Sequence, residues 1–302
     1  MIDYQQLAGQ MEAAGVHARL QEPLSRHTTF RIGGPARLFC LPASENGLIA
    51  ALELCRAAGC RTYLLGKGSN TLFSDEGFEG AVIALGMGLD GVRAEGGGGL
   101  TAGCGASLAQ VCLFAARKGL AGLEFAYGIP GSVGGAVYMN AGAYGGEMKD
   151  VLAGVRCLTP EGELKTLAAA ELGLSYRTSR FERQGGVILA ADFALAQGRP
   201  EEIRARMEEF MGRRTAKQPL DKPSAGSTFK RPQGAFAAAL IDQCGLKGFR
   251  IGGAAVSEKH SGFVVNLGGA SAKDVLAVAD EVARIVEEKT GYKLEREIRV
   301  VR

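Results

Sequence analysis

Tryptophan is absent from the sequence, and histidine occurs only at positions 17, 27 and 260. This spacing does not match the ligand patterns of zinc sites, so no metal centre is expected. No apolar run approaches the roughly 18 residues from which a membrane-spanning helix is predicted. The first residues also lack the basic and apolar regions of a secretory signal, so neither a membrane span nor secretion is expected.

Cysteine usage and charge exclude two further classes of protein. The seven cysteines are scattered and form no Cys-x-x-Cys motif, so we expect reduced, mostly buried thiols in a cytoplasmic protein. The net charge is +3, and no Lys/Arg block resembles a nucleic-acid-binding surface. The densest basic cluster is interrupted by glutamates and is interpreted as a solvated helix face; it comprises Arg204, Arg206, Arg213, Arg214 and Lys217.

Glycine is present in excess, at 45 of 302 residues, which is about twice average usage. Such an excess indicates much tightly turned backbone, as nucleotide and cofactor sites need. The hydrophobic fraction of 46% and the charged fraction of 22% are typical of a globular protein. A chain of 302 residues reaches the size limit of one hydrophobic core, so two or three domains are expected.

The most glycine-rich stretch is Gly128–Gly146, in which seven of nineteen residues are glycine and none is charged. Valine, methionine and tyrosine are interleaved with the glycines, whereas a flexible linker would contain serine, proline and charge. A glycine backbone lets another molecule approach closely, and successive amide N–H groups can hold an anion such as phosphate. We therefore interpret this glycine-rich stretch as a ligand-binding segment.

The apolar pattern predicts a strand–helix–strand unit near the N-terminus. A strand at 36–41, a helix over 45–58 with Ser44 as N-cap and a strand at 61–65 lead into the glycine turn, Gly66–Asn70. The second strand of such a unit delivers its carboxyl end to a ligand, so the glycine turn is a candidate phosphate site. Residues 16–25 are predicted as a loop. Further helices are predicted at 3–15, 107–118, 200–212, 234–243 and 271–290. Further strands are predicted at 81–85, 100–104, 151–158, 163–167, 187–195, 227–230, 253–257, 262–267 and 294–301.

One dinucleotide-binding pattern is rejected. The glycines of Gly86-x-Gly88-x-x-Gly91 follow a predicted strand, but the helix that this motif requires is missing, because Val-Arg-Ala-Glu and four glycines come next. The phosphate-binding motif G-x-x-x-x-G-K-[ST] is also absent. Neither common nucleotide-binding motif therefore accounts for the excess of glycine.

An ordered set of motifs resembles the UDP-N-acetylenolpyruvoylglucosamine reductase family, from about residue 20 to residue 300. Each motif alone is moderately specific, but the full set in this order is highly specific. The motifs are Thr29–Pro35, the glycine turn, the glycine-rich stretch, Leu174–Phe181, Ser224–Pro232, His260–Asn266 and Glu297–Arg299.

The resemblance implies an α+β fold. This fold has a two-domain FAD-binding unit of the vanillyl-alcohol-oxidase/PCMH type and a third α+β substrate domain. The domains expected from it are 1–87, joined by a C-terminal strand at 293–302, then 88–213 and 214–292. FAD is expected to bind non-covalently between the first two domains, with NADPH as co-substrate. The implied reaction reduces the enolpyruvyl ether of UDP-N-acetylglucosamine to UDP-N-acetylmuramate, a step of peptidoglycan synthesis.

Three catalytic residues are implied by the resemblance. Ser227 matches the family's proton donor, and Arg177 and Glu297 match the residues that stabilise the enolate-like intermediate. Glu297 must then be protonated to donate, which requires the raised pKa that burial gives. Without the resemblance, Ser227 fits better as a strand-edge serine bonded to backbone, and Glu297 as part of a solvated face on which Glu295 competes for the role.

The resemblance also implies two sets of binding residues. Without the resemblance, Tyr176 fits core packing, and Lys230 and Arg231 fit surface charge, about as well as they fit substrate binding. The residues expected to bind FAD are Arg31, Gly66, Lys67, Gly68, Ser69, Asn70, Ile129, Pro130, Gly131, Ser132, Gly134, Gly135, Asn140, Gly142 and Ala143. Those expected to bind substrate are Tyr176, Lys230, Arg231, Asn266 and Arg299.

The chain departs from one branch of the family, in which an inserted segment carries a tyrosine that covers the substrate. Fifty positions separate Arg177 from Ser227, and no tyrosine occurs between Tyr176 and Tyr292, so the shorter type is expected. A monomer is expected as well. Two alternatives stay open. One is a flavin oxidase of the same fold that acts on an alcohol or hydroxy acid, and the other is a flavin- or nucleotide-sugar-binding module without turnover.

Overall fold

A four-stranded sheet of order β1-β2-β5-β3, the N-terminal sheet, is built by the first part of the chain. The computed structural model describes residues 2–302. The elements of this first part are α1 (Tyr4–Ala13), β1 (Val16–Pro23), β2 (Pro35–Pro42), α2 (Glu45–Ala57), β3 (Thr62–Leu65), β4 (Thr71–Phe73) and β5 (Phe78–Ala84). β4 lies outside this sheet. β2 and β3 both run parallel to β5, which lies between them. The predicted strand–helix–strand unit is therefore confirmed, and the Ser44 side chain caps α2 by accepting from the amide of Gly47 at 3.1 Å.

β1 replaces the loop that the sequence predicted at this point. It is an antiparallel edge strand along β2, and half of its residues are exposed. Only Val16 and Glu22 are buried along it. The prediction was wrong because an edge strand with one solvated side does not show the apolar run of a buried strand.

A five-stranded antiparallel sheet of order β12-β11-β13-β7-β6, the central sheet, is built by the middle of the chain. Its elements, with neighbouring short strands and helices, are β6 (Val92–Ala94), β7 (Gly99–Gly103), α3 (Leu108–Arg117), β8 (Leu120–Ala121), α4 (Val133–Tyr138), β9 (Gly142–Ala143), β10 (Gly146–Glu147), β11 (Leu152–Leu158), β12 (Leu164–Ala168), α5 (Arg180–Gln184), β13 (Val187–Ala194), β14 (Ala196–Gln197) and α6 (Pro200–Lys217). The predicted hairpin appears as β11 and β12. Helix α6 continues five residues beyond its predicted end at 212, because Gly212 does not interrupt it.

A four-stranded antiparallel sheet of order β15-β18-β17-β16, the C-terminal sheet, packs against α8. Its elements are β15 (Ser224–Ser227), α7 (Ala237–Gln243), β16 (Arg250–Ile251), β17 (Ala254–Val256), β18 (Phe263–Asn266) and α8 (Ala272–Thr290). Ser271 caps α8 as predicted, with Asp274 completing a capping box, and Gly291 ends the helix at a φ of +76°. The predicted strand at 294–301 is shorter, because only β19 (Arg299–Val301) pairs regularly, and it pairs parallel with β4.

Two hydrophobic clusters hold most of the core. The larger runs without interruption from the N-terminal sheet to the central sheet, and the second packs the C-terminal sheet against α8. All seven cysteines are free and buried, as predicted. Burial raises the pKa of Cys40 to about 12, so this thiol stays protonated and unreactive near neutral pH. No helix within residues 2–302 combines the length and hydropathy needed to cross a bilayer.

Hydrogen bonds at three places fasten the C-terminal sheet and α8 to the N-terminal part of the chain. The Asp75 carboxylate accepts from the amide of Ala272 at 2.7 Å, at the start of α8. The Thr29 hydroxyl donates to the Ser224 carbonyl at 2.6 Å. The Asn266 side chain donates to the Phe30 carbonyl at 3.1 Å. These contacts fix the edge of the C-terminal sheet that carries Ser227 relative to the N-terminal sheet.

Candidate active site

A cavity of about 690 Å³ lies where the N-terminal, central and C-terminal parts of the chain meet. Its volume falls in the range of pockets that hold cofactors and small ligands. One wall is the glycine turn, a second is the part of the glycine-rich stretch from Ile129 to Tyr144, and a third carries Ser227 and Glu297. Further lining comes from β3, from the last turn of α6, from residues 185–188 and from the neighbourhood of His260.

The two glycines of the glycine turn lie against neighbouring residues that leave no room for a side chain at either position. At Gly68, where φ is +60°, a Cβ would lie 2.2 Å from the His27 carbonyl oxygen. At Gly66 it would lie 2.4 Å from the Ser132 hydroxyl, across the cavity wall. Within residues 2–302, none of the five amide N–H groups of the turn donates a hydrogen bond. Five free amides in a tight turn form a suitable cradle for a diphosphate.

The glycine-rich stretch is more self-contained. The amides of Val133 and Gly134 donate to the carbonyls of Ala106 and Cys104, both at 2.9 Å. The amide of Gly135 donates to the hydroxyl of Ser132, the N-cap of α4, at 3.4 Å. These amides are therefore used within the protein, and free amides are concentrated in the glycine turn. The stretch offers the cavity a close backbone surface rather than a row of donors.

Arg177 and Glu297 meet in this cavity although 120 residues separate them. The Arg177 Nε donates to Glu297 Oε1 at 2.5 Å, and the two side chains are only 22% and 13% exposed. Burial raises the pKa of Glu297 above its ordinary value, although the Arg177 guanidinium acts in the opposite direction. Arg177 has a φ of +56°, a conformation that non-glycine residues adopt at a cost and most often at functional sites.

Ser227 and Glu297 are placed by one hydrogen-bonded ladder. Ser227 ends β15 opposite Phe263 of β18. The next residue, Thr228, accepts from the amide of Glu297 at 2.8 Å through its carbonyl. The Asn70 side chain donates to the Glu297 carbonyl at 3.2 Å, so the glycine turn is bound to the same segment. The three predicted catalytic side chains and the glycine turn therefore line one cavity.

Six predicted ligand-binding residues lie outside the cavity lining, and three of them are Arg31, Asn140 and Asn266. The fully buried Asn140 donates to the Glu147 carboxylate at 2.6 Å and the Ser175 carbonyl at 3.2 Å, which supports the backbone that leads to Arg177. Asn266 accepts two backbone amides in addition to its bond to Phe30. Arg31 is exposed. The two asparagines thus have structural contacts, and the binding roles of all three stay predictions.

The predicted substrate residues divide into two groups. Arg299 lines the cavity, pairs with Glu182 at 2.5 Å and lies over the Tyr138 ring at 4.6 Å. Tyr176, Lys230 and Arg231 do not line it. The Tyr176 hydroxyl accepts from the amide of Arg231 at 3.0 Å, and Lys230 pairs with the exposed Glu295 at 3.3 Å. This second group lies outside the cavity, close in sequence to Arg177 and Ser227, and its role in substrate binding stays a prediction.

The last turn of α6 contributes cavity residues that the sequence did not predict. Arg213, Arg214, Lys217 and Gln218 all line the cavity. Arg213 and Lys217 stay exposed, and Arg213 pairs with Glu209 one turn away, so the interpretation of this cluster as a solvated helix face was wrong only for the partly buried Arg214. Helix α6 carries these residues into the cavity because it continues past Gly212. One signal was available, since acidic residues interrupt the cluster only as far as Glu209.

The fold and the cavity define a FAD-binding protein with an additional C-terminal domain. A family model described as "FAD binding domain" matches residues 36–168. A second, described as "UDP-N-acetylenolpyruvoylglucosamine reductase, C-terminal domain", matches residues 218–301. The chain belongs to the UDP-N-acetylenolpyruvoylglucosamine reductase family, and the predicted resemblance is confirmed.

Individual relatives support this placement. The chain is 48% identical to the UDP-N-acetylenolpyruvoylglucosamine reductase of Lachnoclostridium phytofermentans, over 93% of this chain and 91% of the relative. It is 47% identical to that of Agathobacter rectalis, over 93% and 92%. The crystal structure of the Thermus caldophilus enzyme superposes with a TM-score of 0.80 at 38% identity, over 95% of this chain and 99% of the other.

A more distant likeness bears on the fold alone. A variant of berberine bridge enzyme superposes with a TM-score of 0.50 at 16% identity, over 63% of this chain and 43% of the other. Together with the FAD-binding family model, this confirms the predicted fold class, an α+β protein with a FAD-binding unit of the vanillyl-alcohol-oxidase/PCMH type.

Proposed function

We propose that the chain reduces the enolpyruvyl ether of UDP-N-acetylglucosamine to UDP-N-acetylmuramate, with FAD as cofactor and NADPH as reductant. Bound FAD supplies hydride transfer between NADPH and the substrate double bond. The observation that carries the proposal is one cavity lined by the glycine turn, by the Arg177–Glu297 pair and by Ser227. An alcohol oxidase of this fold would not need that catalytic set, and neither would a binding module.

The glycine turn is proposed to hold the FAD diphosphate through its five free amides, with Lys67 adding positive charge. The segment Ile129–Ala143 is proposed to lie along the cofactor as a close backbone surface. The residues present fit FAD, because the turn combines five free amides with two glycines at which no side chain could be placed, and the cavity is large enough for a cofactor.

The substrate chemistry is proposed to rest on three side chains. Hydride addition to the terminal carbon of the enolpyruvyl group places negative charge on the carbon beside the carboxylate. Protonated Glu297 donates a hydrogen bond to the developing enolate, and Arg177 supplies positive charge in a partly dry site. Ser227 delivers the proton from its hydroxyl, and Lys230, three residues further on, can stabilise the alkoxide that remains.

The organisation of the chain is part of the proposal. Three domains are proposed, at 1–87 with 293–302, at 88–213 and at 214–292. The distribution of the three sheets supports this division, because each sheet takes its strands from one of these segments. We further propose that the protein is a monomer and that it works in the cytoplasm. The seven free, buried thiols support the second part of this proposal.

The function is tested by colour and by one assay. Purified protein is expected to be yellow and to release FAD when heated. NADPH oxidation is then followed with and without the enolpyruvyl UDP-sugar, and a large increase on adding the sugar is expected. A colourless protein that takes up no FAD would contradict every flavin-dependent function. A yellow protein whose NADPH oxidation ignores the sugar would favour another flavin enzyme of this fold.

Replacing Gly68 with alanine is expected to abolish most FAD binding, because the new Cβ would meet the His27 carbonyl oxygen at 2.2 Å and the turn must change shape. Gly59→Ala is the matched control. Its φ of +62° is close to the +60° of Gly68, but a Cβ there has nothing within 4 Å. FAD affinity is measured by flavin fluorescence and folding by circular dichroism. Equal loss of affinity in both variants would mean that the close approach at Gly68 is not needed for the cofactor.

A further inference from the structure

Arg214 is the arginine of the cavity lining that has no carboxylate partner within residues 2–302. The other three each contact the carboxyl group of a glutamate: Arg177 contacts Glu297, Arg213 contacts Glu209 and Arg299 contacts Glu182. The Arg214 side chain forms no hydrogen bond in that part of the chain, and its Nε is buried without a partner. Arg214 is only partly buried, but a charged group with an enclosed, unpartnered donor and no counter-charge is costly, so this position fits a ligand that brings negative charge.

The Arg214 side chain lies against the glycine-rich stretch. A Cβ at Gly128 would lie 2.9 Å from the Arg214 Cδ and 3.8 Å from its Nε. Burial lowers the pKa of Arg214, while Tyr144, near the other end of the stretch, acts in the opposite direction. An arginine remains charged despite such a shift. The guanidinium therefore faces the ligand that the glycine-rich stretch holds, which on the proposed function is FAD.

The last turn of α6 lies on the Ser227 side of the cavity. The Thr215 carbonyl, next to Arg214, accepts from Lys259 Nζ at 2.6 Å. His260, the following residue, lines the cavity and packs edge-on against Phe263 with ring centroids 4.9 Å apart. Phe263 is the cross-strand partner of Ser227. The diphosphate is proposed to bind at the glycine turn, where Gly66 lies close to Ser132. This part of the lining is separate from the wall that carries Ser227.

We propose that Arg214 supplies the positive charge that raises the reduction potential of the flavin ring in this cavity. The inference rests on the proposed function and on two contacts. The contact of Arg214 with the glycine-rich stretch indicates that its ligand is FAD. The position of α6 on the Ser227 side of the cavity indicates the flavin ring rather than the diphosphate. Hydride from NADPH brings two electrons and one proton to the ring, so one negative charge remains there until hydride leaves for the substrate. A fixed charge beside a flavin is a known means by which proteins set its electronics.

The test is the two-electron midpoint potential of the FAD-loaded protein, titrated without oxygen against a reference dye. Arg214→Met is expected to shift the reduction equilibrium at least tenfold toward oxidised flavin, a fall of about 30 mV for a two-electron couple. Arg214→Lys keeps the charge and is expected to restore most of the potential. Arg206→Met removes an exposed arginine from the same helix and is expected to leave the potential unchanged.

The outcomes separate this inference from the proposed function. Wild-type protein that binds no FAD would overturn both. An FAD-loaded Arg214→Met variant with an unchanged potential would overturn the role of Arg214 alone. If that variant also showed a raised Kd for FAD or a raised KM for the UDP-sugar, the side chain would instead be assigned to a phosphate. Thermal melting of each variant confirms that potentials are compared between folded proteins.

Discussion

Ser227→Ala is expected to bind FAD and to be reduced by NADPH at the wild-type rate, while reoxidation by the enolpyruvyl UDP-sugar slows by about 10²–10⁴-fold. The reason is that only the second half-reaction needs a proton delivered to carbon. Ser227 lies at the end of β15 and lines the cavity together with Glu297, whereas the segments proposed to hold the cofactor belong to other parts of the lining. Stopped-flow absorbance of the flavin measures the two half-reactions separately.

Ser224→Ala is the matched control for this experiment. Ser224 begins the same strand, outside the cavity lining, and its carbonyl rather than its hydroxyl contacts Thr29. This variant is expected to show wild-type rates in both half-reactions. If Ser227→Ala slowed both half-reactions equally, the proton-donor assignment would be wrong and the serine would have a structural role.

The product-forming half-reaction is expected to slow as pH rises through the pKa of Glu297. Burial raises this pKa, so the protonated form persists to a higher pH than for an ordinary glutamate, and deprotonation removes the hydrogen-bond donor. Glu297→Gln keeps a permanent donor and is expected to remove this pH dependence while retaining part of the rate. Glu297→Ala removes the donor and is expected to cost about 10²–10³ in turnover.

Glu295→Gln tests whether the effect belongs to Glu297. Glu295 lies on the same segment, but its side chain is 77% exposed and pairs with Lys230. Its replacement is expected to leave the rate and the pH profile close to wild type, because exposed ion pairs contribute little. A Glu297→Gln variant that still slowed with rising pH would show that another group titrates in this window.

The same raised pKa affects stability. A buried carboxyl whose folded-state pKa lies above its unfolded-state value binds more protons when folded, so unfolding becomes easier as pH rises between the two values. The contact with Arg177 opposes this effect but does not reverse it. On the proposed mechanism, catalysis and stability therefore both favour protonated Glu297, and the fold loses stability as this carboxyl group ionises.

The sequence predicted those parts of the fold in which local pattern and burial agree. The buried parallel strands and the capped helix between them were predicted within a few residues, because apolar runs and Ser44 define them. The short helix α4 was missed, since its residues are rich in glycine and its stability comes from packing and from the cap by Ser132. Local propensity does not predict an element that tertiary contacts hold in place.

In the candidate site too, the sequence predicted only those features that depend on neighbouring residues of the chain. The glycine turn could be recognised from its own residues, because tight backbone is a local property. The contact of Arg177 with Glu297 could not, since no spacing rule links residues 120 positions apart, and only the family resemblance joined them. Arg214 was misassigned because its role depends on where α6 ends relative to the cavity, which the residues of the helix do not determine.

The parallel pairing of β19 with β4 has a consequence for the order in which the molecule matures. Arg299 pairs with Thr71, so almost the whole chain must be synthesised before this contact can close. Long-range pairing of this kind is slow to form, and domains generally fold in the order in which they are made. A nascent chain thus completes the segments proposed to hold FAD before it acquires Ser227 and Glu297, and the chemistry of the substrate is the last capability to be added.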